Sequence, residues 1–258
     1  MPLAFTRAVS PRLVDCQLTH LERAPIDIAR AVAQHALYER ALADAGFEVI
    51  RLPDIDDAPD GVFVEDTALL LGGQAIITRP GAPSRRGETA STAEVLAKYM
   101  GVHALPEGTL DGGDVLRIGN TLYVGASLRT DAAGIEALGA TAAALGFETV
   151  AVELHDCLHL KTCATFAGLD GAGNPVLIVD PRHVDPEVFA GVDRLHVSPD
   201  ESAAANAVRA GGALLIAAGY PRLREALAGR GFLLVEVDTS EFRKAEAALT
   251  CLSLIGED

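Results

Sequence analysis

Val62-Phe63-Val64-Glu65-Asp66-Thr67-Ala68-Leu69-Leu70-Leu71, closed by Gly72-Gly73, decides the fold. An apolar run bounded by paired glycines reads as a strand and a tight turn. Beyond the turn, residues 74–78 read as a second strand, 90–100 as a helix and 102–105 as a third strand. The same unit then recurs. A second copy starts near Asp114-Val115-Leu116, turns at Gly119-Asn120, continues over 121–125, carries a helix over 132–145 that stops at Gly146, and closes with a strand over 149–154. A third runs through strand 162–169, a turn at 170–174, strand 176–179, a weak helix and strand 194–197. A fourth has strand 206–210, a turn at Gly211-Gly212, strand 213–217, helix 221–227 and strand 233–237. Two pieces remain. Strand 249–255 has nothing after it, while strand 3–8 leads to a helix over 28–45 and a strand over 48–52. Joined across the termini they make a fifth copy. The expected fold is α/β: a five-bladed, pseudo-fivefold α/β propeller of ββαβ units, one catalytic domain over residues 1–258, its ring closed by N- and C-terminal strands so that open sheet edges disappear. An irregularly ordered α/β sheet is the alternative.

Composition bounds the function. A chain of 258 residues, 49% hydrophobic and 22% charged, can bury a sizeable core and is not disordered. A net charge of −15 repels nucleic acid phosphates and anionic lipid and draws in small cations, so neither nucleic acid nor membrane is an expected partner. No apolar stretch approaches the roughly 18 residues of a membrane span, and residues 1–13 lack the apolar core of a signal peptide. A cytoplasmic setting is expected, with Cys16, Cys157, Cys163 and Cys251 as free thiols.

Charged side chains within apolar strands must be solvated, paired or functional. Asp66 and Asp111 lie 45 residues apart, Asp111 and His159 48, His159 and Asn206 47, Asn206 and Cys251 45. Each unit thus offers one polar or reactive group at a matching place, and in a ring the five converge at one mouth. A cysteine with a histidine is a nucleophile with its base. An acid beside the histidine orients it, and the thiol, with a free pKa of about 8.5, needs help to ionise. Further carboxylates suit a cation. The set describes acyl or amidino transfer on a positively charged substrate.

Blander roles compete. Cys16, Cys157 and Cys163 read as small buried hydrophobes. His155, Cys157 and His159 share one strand face, but no fourth ligand stands at structural-metal spacing, so no metal is expected. Asp60 stands out from the acidic loop 54–60 because it directly precedes the Val62–Asp66 segment. Arg85-Arg86 follows the stiff Pro80-Gly81-Ala82-Pro83-Ser84, which suits a fixed anion-binding loop as well as plain surface charge. Asn206 suits backbone satisfaction better than catalysis.

Five segments in order carry a resemblance: Phe63-Val64-Glu65-Asp66, residues 77–86, Leu110-Asp111-Gly112-Gly113-Asp114-Val115, Leu158-His159-Leu160-Lys161-Thr162 and Thr250-Cys251-Leu252-Ser253. At these the chain resembles the dimethylarginine dimethylaminohydrolases of the guanidino-modifying, or pentein, superfamily, whose fold is a five-bladed α/β propeller. The resemblance implies Cys251 as nucleophile, His159 as proton donor and Asp111 as its holder. Asp66 with Glu65 would grip the guanidinium, and Arg85 and Arg129 would bind the α-carboxylate. Leu18, Asp60 and Ala245 would line the α-amino end. It also implies a small cationic guanidino substrate (a methylated arginine), no cofactor, and an oligomeric state left open, a homodimer included. One departure stands out: relatives often carry Asp-Gly or Gly-Gly shortly before the nucleophile, where this chain has Ala245-Glu246-Ala247-Ala248-Leu249. The rivals are an arginine deiminase or amidinotransferase, which usually need longer chains, and a non-catalytic guanidine-binding scaffold.

Overall fold

A computed structural model describes residues 1–256. The strands are β1 (Leu3–Thr6), β2 (Glu48–Arg51), β3 (Ala68–Leu71), β4 (Gln74–Ile77), β5 (Gly101–Ala104), β6 (Val115–Ile118), β7 (Thr121–Ala126), β8 (Glu148–Glu153), β9 (Ala164–Leu169), β10 (Pro175–Val179), β11 (Asp193–His196), β12 (Ala207–Ala210), β13 (Ala213–Ala217), β14 (Leu234–Val237) and β15 (Leu254–Ile255). They form five separate three-stranded sheets. In each, the middle strand runs antiparallel to one neighbour and parallel to the other. The fifth sheet has the order β15-β1-β2, with Ala4 opposite Ile255 and Phe5 opposite Leu254. The two ends of the chain therefore share one blade, as the leftover strands required.

Parallel pairing needs a crossover, and helices supply it. They are Ile28–Asp44, Glu88–Leu96, Ala132–Ala143 and Pro221–Gly229. Asp27 and Asp131 cap two of them by accepting the amides of Arg30 and Gly134, and Pro221 opens the last where its missing N–H is harmless. The third unit departs from this: its weak helix is only the 3₁₀ turn Pro186–Val188, squeezed between Pro181 and Gly191, whose φ is 72°. No helix among the described residues is long and apolar enough to cross a membrane.

The inner strands are shorter than expected. The runs 62–71, 162–169 and 249–255 each begin with a helical turn: Val64–Thr67, Leu160–Cys163 and Thr250–Leu252. Thr67 closes its turn by donating from Oγ1 to the Val64 carbonyl at 2.7 Å. Comparable turns, Gly112–Asp114 and Pro199–Ala205, precede β6 and β12. Every unit thus places a helical turn at the start of its inner strand.

Apolar packing joins neighbouring units. Leu69, Ile76, Leu122, Leu138 and Phe147 bind the first unit to the second, Tyr123, Leu177 and Phe189 the second to the third, and Phe5, Val64, Leu96 and Leu254 the fifth to the first. The largest cluster unites the third, fourth and fifth units beneath helix Ile28–Asp44. At about 25 cal/mol per Å² of buried apolar surface, these seams are the main stabilisation a ring of small sheets has.

Candidate active site

The five turns bring together what the spacing aligned. Asp66 lies inside the first, Asp111 and His159 stand at the N-terminal ends of the second and third, Asn206 ends the fourth, and Cys251 lies inside the fifth. Adjacent side chains on a strand point to opposite faces, but Glu65 and Asp66 sit on a tight helical turn and diverge more gradually. Glu65 turns to Lys161 Nζ at 2.6 Å and accepts from Thr250 Oγ1 at 2.8 Å. Asp66 pairs with Arg85 Nη1 at 2.5 Å and accepts from the Gly113 amide at 3.0 Å.

His159 Nε2 stands 3.0 Å from Asp111 Oδ2, and Asp111 Oδ1 accepts from the Gly81 amide at 2.9 Å. The imidazole and both carboxylates are buried. Burial alone would lower the His159 pKa; Asp66, Asp114 and Asp111 outweigh it and raise it to about 10. Burial likewise pushes Asp66 up, but His159, Arg85 and the Gly113 amide hold it at about 2. The glycines of the Asp111-Gly112-Gly113 segment are needed for this closeness. A Cβ on Gly113 would stand 2.7 Å from His159 Nδ1, and one on Gly112 2.0 Å from the Glu65 carbonyl oxygen.

Cys251 is half-buried, and its Sγ accepts from the Ala248 amide at 3.5 Å. Burial, then Glu65 and Asp66, push its thiol well above the ordinary range, against the Ala248 amide and Lys161. Leu18, Phe63 and Ala245 belong with Cys251 to one apolar cluster. Asp60 is buried, accepts the Gln17 amide at 3.2 Å, and has its pKa raised by burial against the pull of Arg85. Arg129 is half-buried and donates to Thr19 Oγ1 at 3.3 Å. Arg85 lies deeper: besides Asp66 it holds Glu88 at 2.9 Å and the Phe63 carbonyl at 2.7 Å. The ligand atoms of Asp66, Asp111 and His159 fall within 4.8 Å of one another, as in a cation site. Arg85 and a protonated imidazole already supply that corner with positive charge.

Several working residues were not legible as such. Asp114 accepts from Ser127 and Thr130 hydroxyls at 2.6 Å and from the Leu160 amide at 3.0 Å, fixing the turn behind His159. Burial raises its pKa to about 6 against those bonds and His159. Asn206 donates to the Lys161 carbonyl at 2.8 Å and to Thr250 Oγ1 at 2.9 Å, and accepts the Thr250 amide at 3.1 Å. Polar bonds therefore pass from each turn to the next: Asp66–Gly113, Asp111–His159, Lys161–Asn206, Asn206–Thr250, Thr250–Glu65. The matching positions of Asn206 and Asp66, the expected pairing of Asp111 with His159 and the expected backbone role of Asn206 were the advance signals of this circuit.

Comparison with known proteins bears on the family and the fold. A family profile described as arginine deiminase matches residues 53–172. A curated N(G),N(G)-dimethylarginine dimethylaminohydrolase of Streptomyces coelicolor is 43% identical over 97% of this chain and 95% of its own length. The enzyme of that name from Pseudomonas aeruginosa is 38% identical over 97% of each chain. A solved structure of the Pseudomonas aeruginosa protein, a cysteine-to-serine mutant complexed with citrulline, superposes with a TM-score of 0.91 at 34% identity over 99% of both chains. With a pentein propeller, five matching turns and full-length identity of this order, the chain belongs to the dimethylarginine dimethylaminohydrolase family.

Proposed function

We infer that the protein hydrolyses N-methylated arginine to citrulline and methylamine or dimethylamine, with Cys251 as nucleophile. The observation that carries this is the convergence of Cys251, Asp66 and the His159–Asp111 pair from four different turns. In the free enzyme Cys251 is a neutral thiol and His159 an imidazolium, given the directions in which the two are driven. A guanidinium bound at Asp66 offsets the negative field that Glu65 and Asp66 impose on the sulfur, and the thiol loses its proton to solvent as the substrate binds. The thiolate attacks the central carbon. The bond to the methylated nitrogen breaks as His159 gives that nitrogen a proton, leaving a thiouronium on Cys251 and a neutral imidazole. Asp111 engages Nε2, so Nδ1 serves this transfer. Water then attacks the thiouronium carbon and yields a proton to Nδ1, and the C–S bond breaks as the hydroxyl proton passes to the sulfur, releasing citrulline and restoring the thiol.

Arg129, with Arg85, is assigned to the α-carboxylate, and Arg85 also holds Asp66 in place. Glu65 is committed to Lys161 and Thr250. Asp66, fixed by Arg85 and the Gly113 amide, is the acid assigned to the fork, with Phe63 as apolar cover for methyl groups. An unmethylated N–H₂ facing that cover goes unpaired, a loss of about 1–3 kcal/mol. Asymmetric dimethylarginine is therefore favoured over arginine by about tenfold to a hundredfold.

The arginine deiminase profile over residues 53–172 supports a second reading, in which arginine itself is the substrate. A citrulline assay on arginine, monomethylarginine and asymmetric dimethylarginine separates the two. Arginine turned over equally well or better makes the protein a deiminase. In the same assay Cys251→Ser loses turnover by about a thousandfold or more while melting like the parent; citrulline formation near the parent rate ends the covalent mechanism.

A further inference from the structure

We propose that Glu246 is a positioning residue that latches segment 17–22 shut across the mouth of the site; its effect on catalysis rests on the function inferred above. Segment 17–22 crosses the ring face from unit to unit. The Gln17 amide is held by Asp60 and its side chain by Ser84, both of the first unit, and Thr19 takes a bond from Arg129 of the second. His20 and Leu21 face Cys157 and Leu158 of the third unit and Ala247 and Ala248 of the fifth across a cavity of about 240 Å³. The crossing is completed by a single carboxylate. Glu246 accepts the Thr19 amide at 2.8 Å, the His20 amide at 2.5 Å and the Leu21 amide. Three successive amides converging on one anion form a nest, the backbone's own anion site.

A second observation points to the same carboxylate. Glu246 has φ 57°, and only Asp156 shares a positive φ among the described non-glycine residues. Glycine takes that conformation freely, and a long side chain held there must be retained by what it does. The departure in the Ala245–Leu249 segment thus acquires a purpose. The backbone keeps a glycine-like turn before Cys251, while the side chain reaches over to the loop that carries Leu18. Lys244 ties down the far end of the loop at the Pro25 carbonyl, at 3.0 Å. A latched loop means that ordering it is not left to the substrate. Weakening the latch lowers the fraction of closed enzyme, and apparent affinity falls by the same factor.

The test uses the full chain, Glu246→Gly and Glu246→Gln. The glycine variant relieves the backbone and removes the latch; glutamine keeps an acceptor but not the charge. Hydrogen exchange at the Thr19, His20 and Leu21 amides speeds about tenfold in Glu246→Gly, with no loss of melting temperature. KM for asymmetric dimethylarginine rises about tenfold while kcat changes by less than about twofold, and Glu246→Gln falls between. Exchange unchanged in the glycine variant refutes the latch, whatever the substrate. Faster exchange with an unchanged KM refutes its role in positioning. Exchange needs no turnover, so a protein that proved inactive on every guanidine would still decide the first point.

Discussion

Two histidines are buried to nearly the same depth and are driven in opposite directions. His35, 3% exposed on helix Ile28–Asp44, has Glu39 at 3.7 Å, Phe242 against its ring, and a buried Nε2 without a hydrogen-bond partner; burial lowers its pKa to about 4. His159, 6% exposed on the turns, feels the same penalty, yet three carboxylates lift it to about 10. Depth therefore does not determine charge. The outer helical layer is assembled from apolar seams and brings one acid to its histidine. The inner turns come from different units, and two of them bring the three acids that surround a histidine borne on a third.

Removing the inner histidine should have the largest effect. His159→Ala leaves thiol attack feasible but amine departure and hydrolysis unassisted, so kcat falls by about 10²- to 10⁴-fold, and intact-protein mass spectrometry finds a covalent adduct accumulating. Unimpaired multiple turnover would show that the convergence on His159 has no catalytic purpose. Removing one of the acids sharpens the contrast. Asp66→Asn takes a charge-assisted contact from the guanidinium, raising KM by about tenfold or more, and lowers the His159 pKa, which moves the alkaline limit of activity to lower pH. A pH–rate profile with an unmoved alkaline limb would mean that Asp66 does not govern the imidazole.

The smallest effects lie in stability. His159 has a folded pKa of about 10 against 6.5 for a free histidine, so its contribution is complete below pH 6.5 and is lost as pH rises towards 10. His35 is the reverse: with a folded pKa of about 4, its contribution is complete above pH 6.5 and is lost as pH falls towards 4. Melting temperatures across that range should decline at both ends. His35→Leu should flatten only the acid limb, His159→Ala only the alkaline one. Either substitution flattening both limbs would dissolve the distinction.

The ring and its reactive groups were legible because strands, glycine turns and one polar residue repeat at 45 to 48 residues. The turns were not. Val64-Glu65-Asp66-Thr67 lies within an otherwise apolar run that reads as one strand, and its 3₁₀ character comes from the Thr67–Val64 closure and from contacts made by other units. For the same reason Glu65 and Asp66 could be placed together but not told apart: Lys161 and Thr250, roughly 95 and 185 residues onward, draw one of them away. Asp114 was hidden likewise, since it acts on the Leu160 amide of the next unit; Glu88 was hidden although it stands only three residues from Arg85, because nothing in the sequence marks that pair as buried.

The blade shared by β1 and β15 gives the molecule an arbitrary seam. Its two ends lie side by side, paired at Ala4–Ile255, and every other blade holds its three strands in one continuous stretch. A circular permutant with the present termini linked and the chain reopened at the exposed hairpin Asp170–Asn174 would keep all five inner turns and their contacts. What would change is the order of synthesis. The thiol of Cys251 now follows Asp66, Asp111 and His159 in the chain; in such a permutant it would precede them, and the acidic corner would close around a thiol already in place.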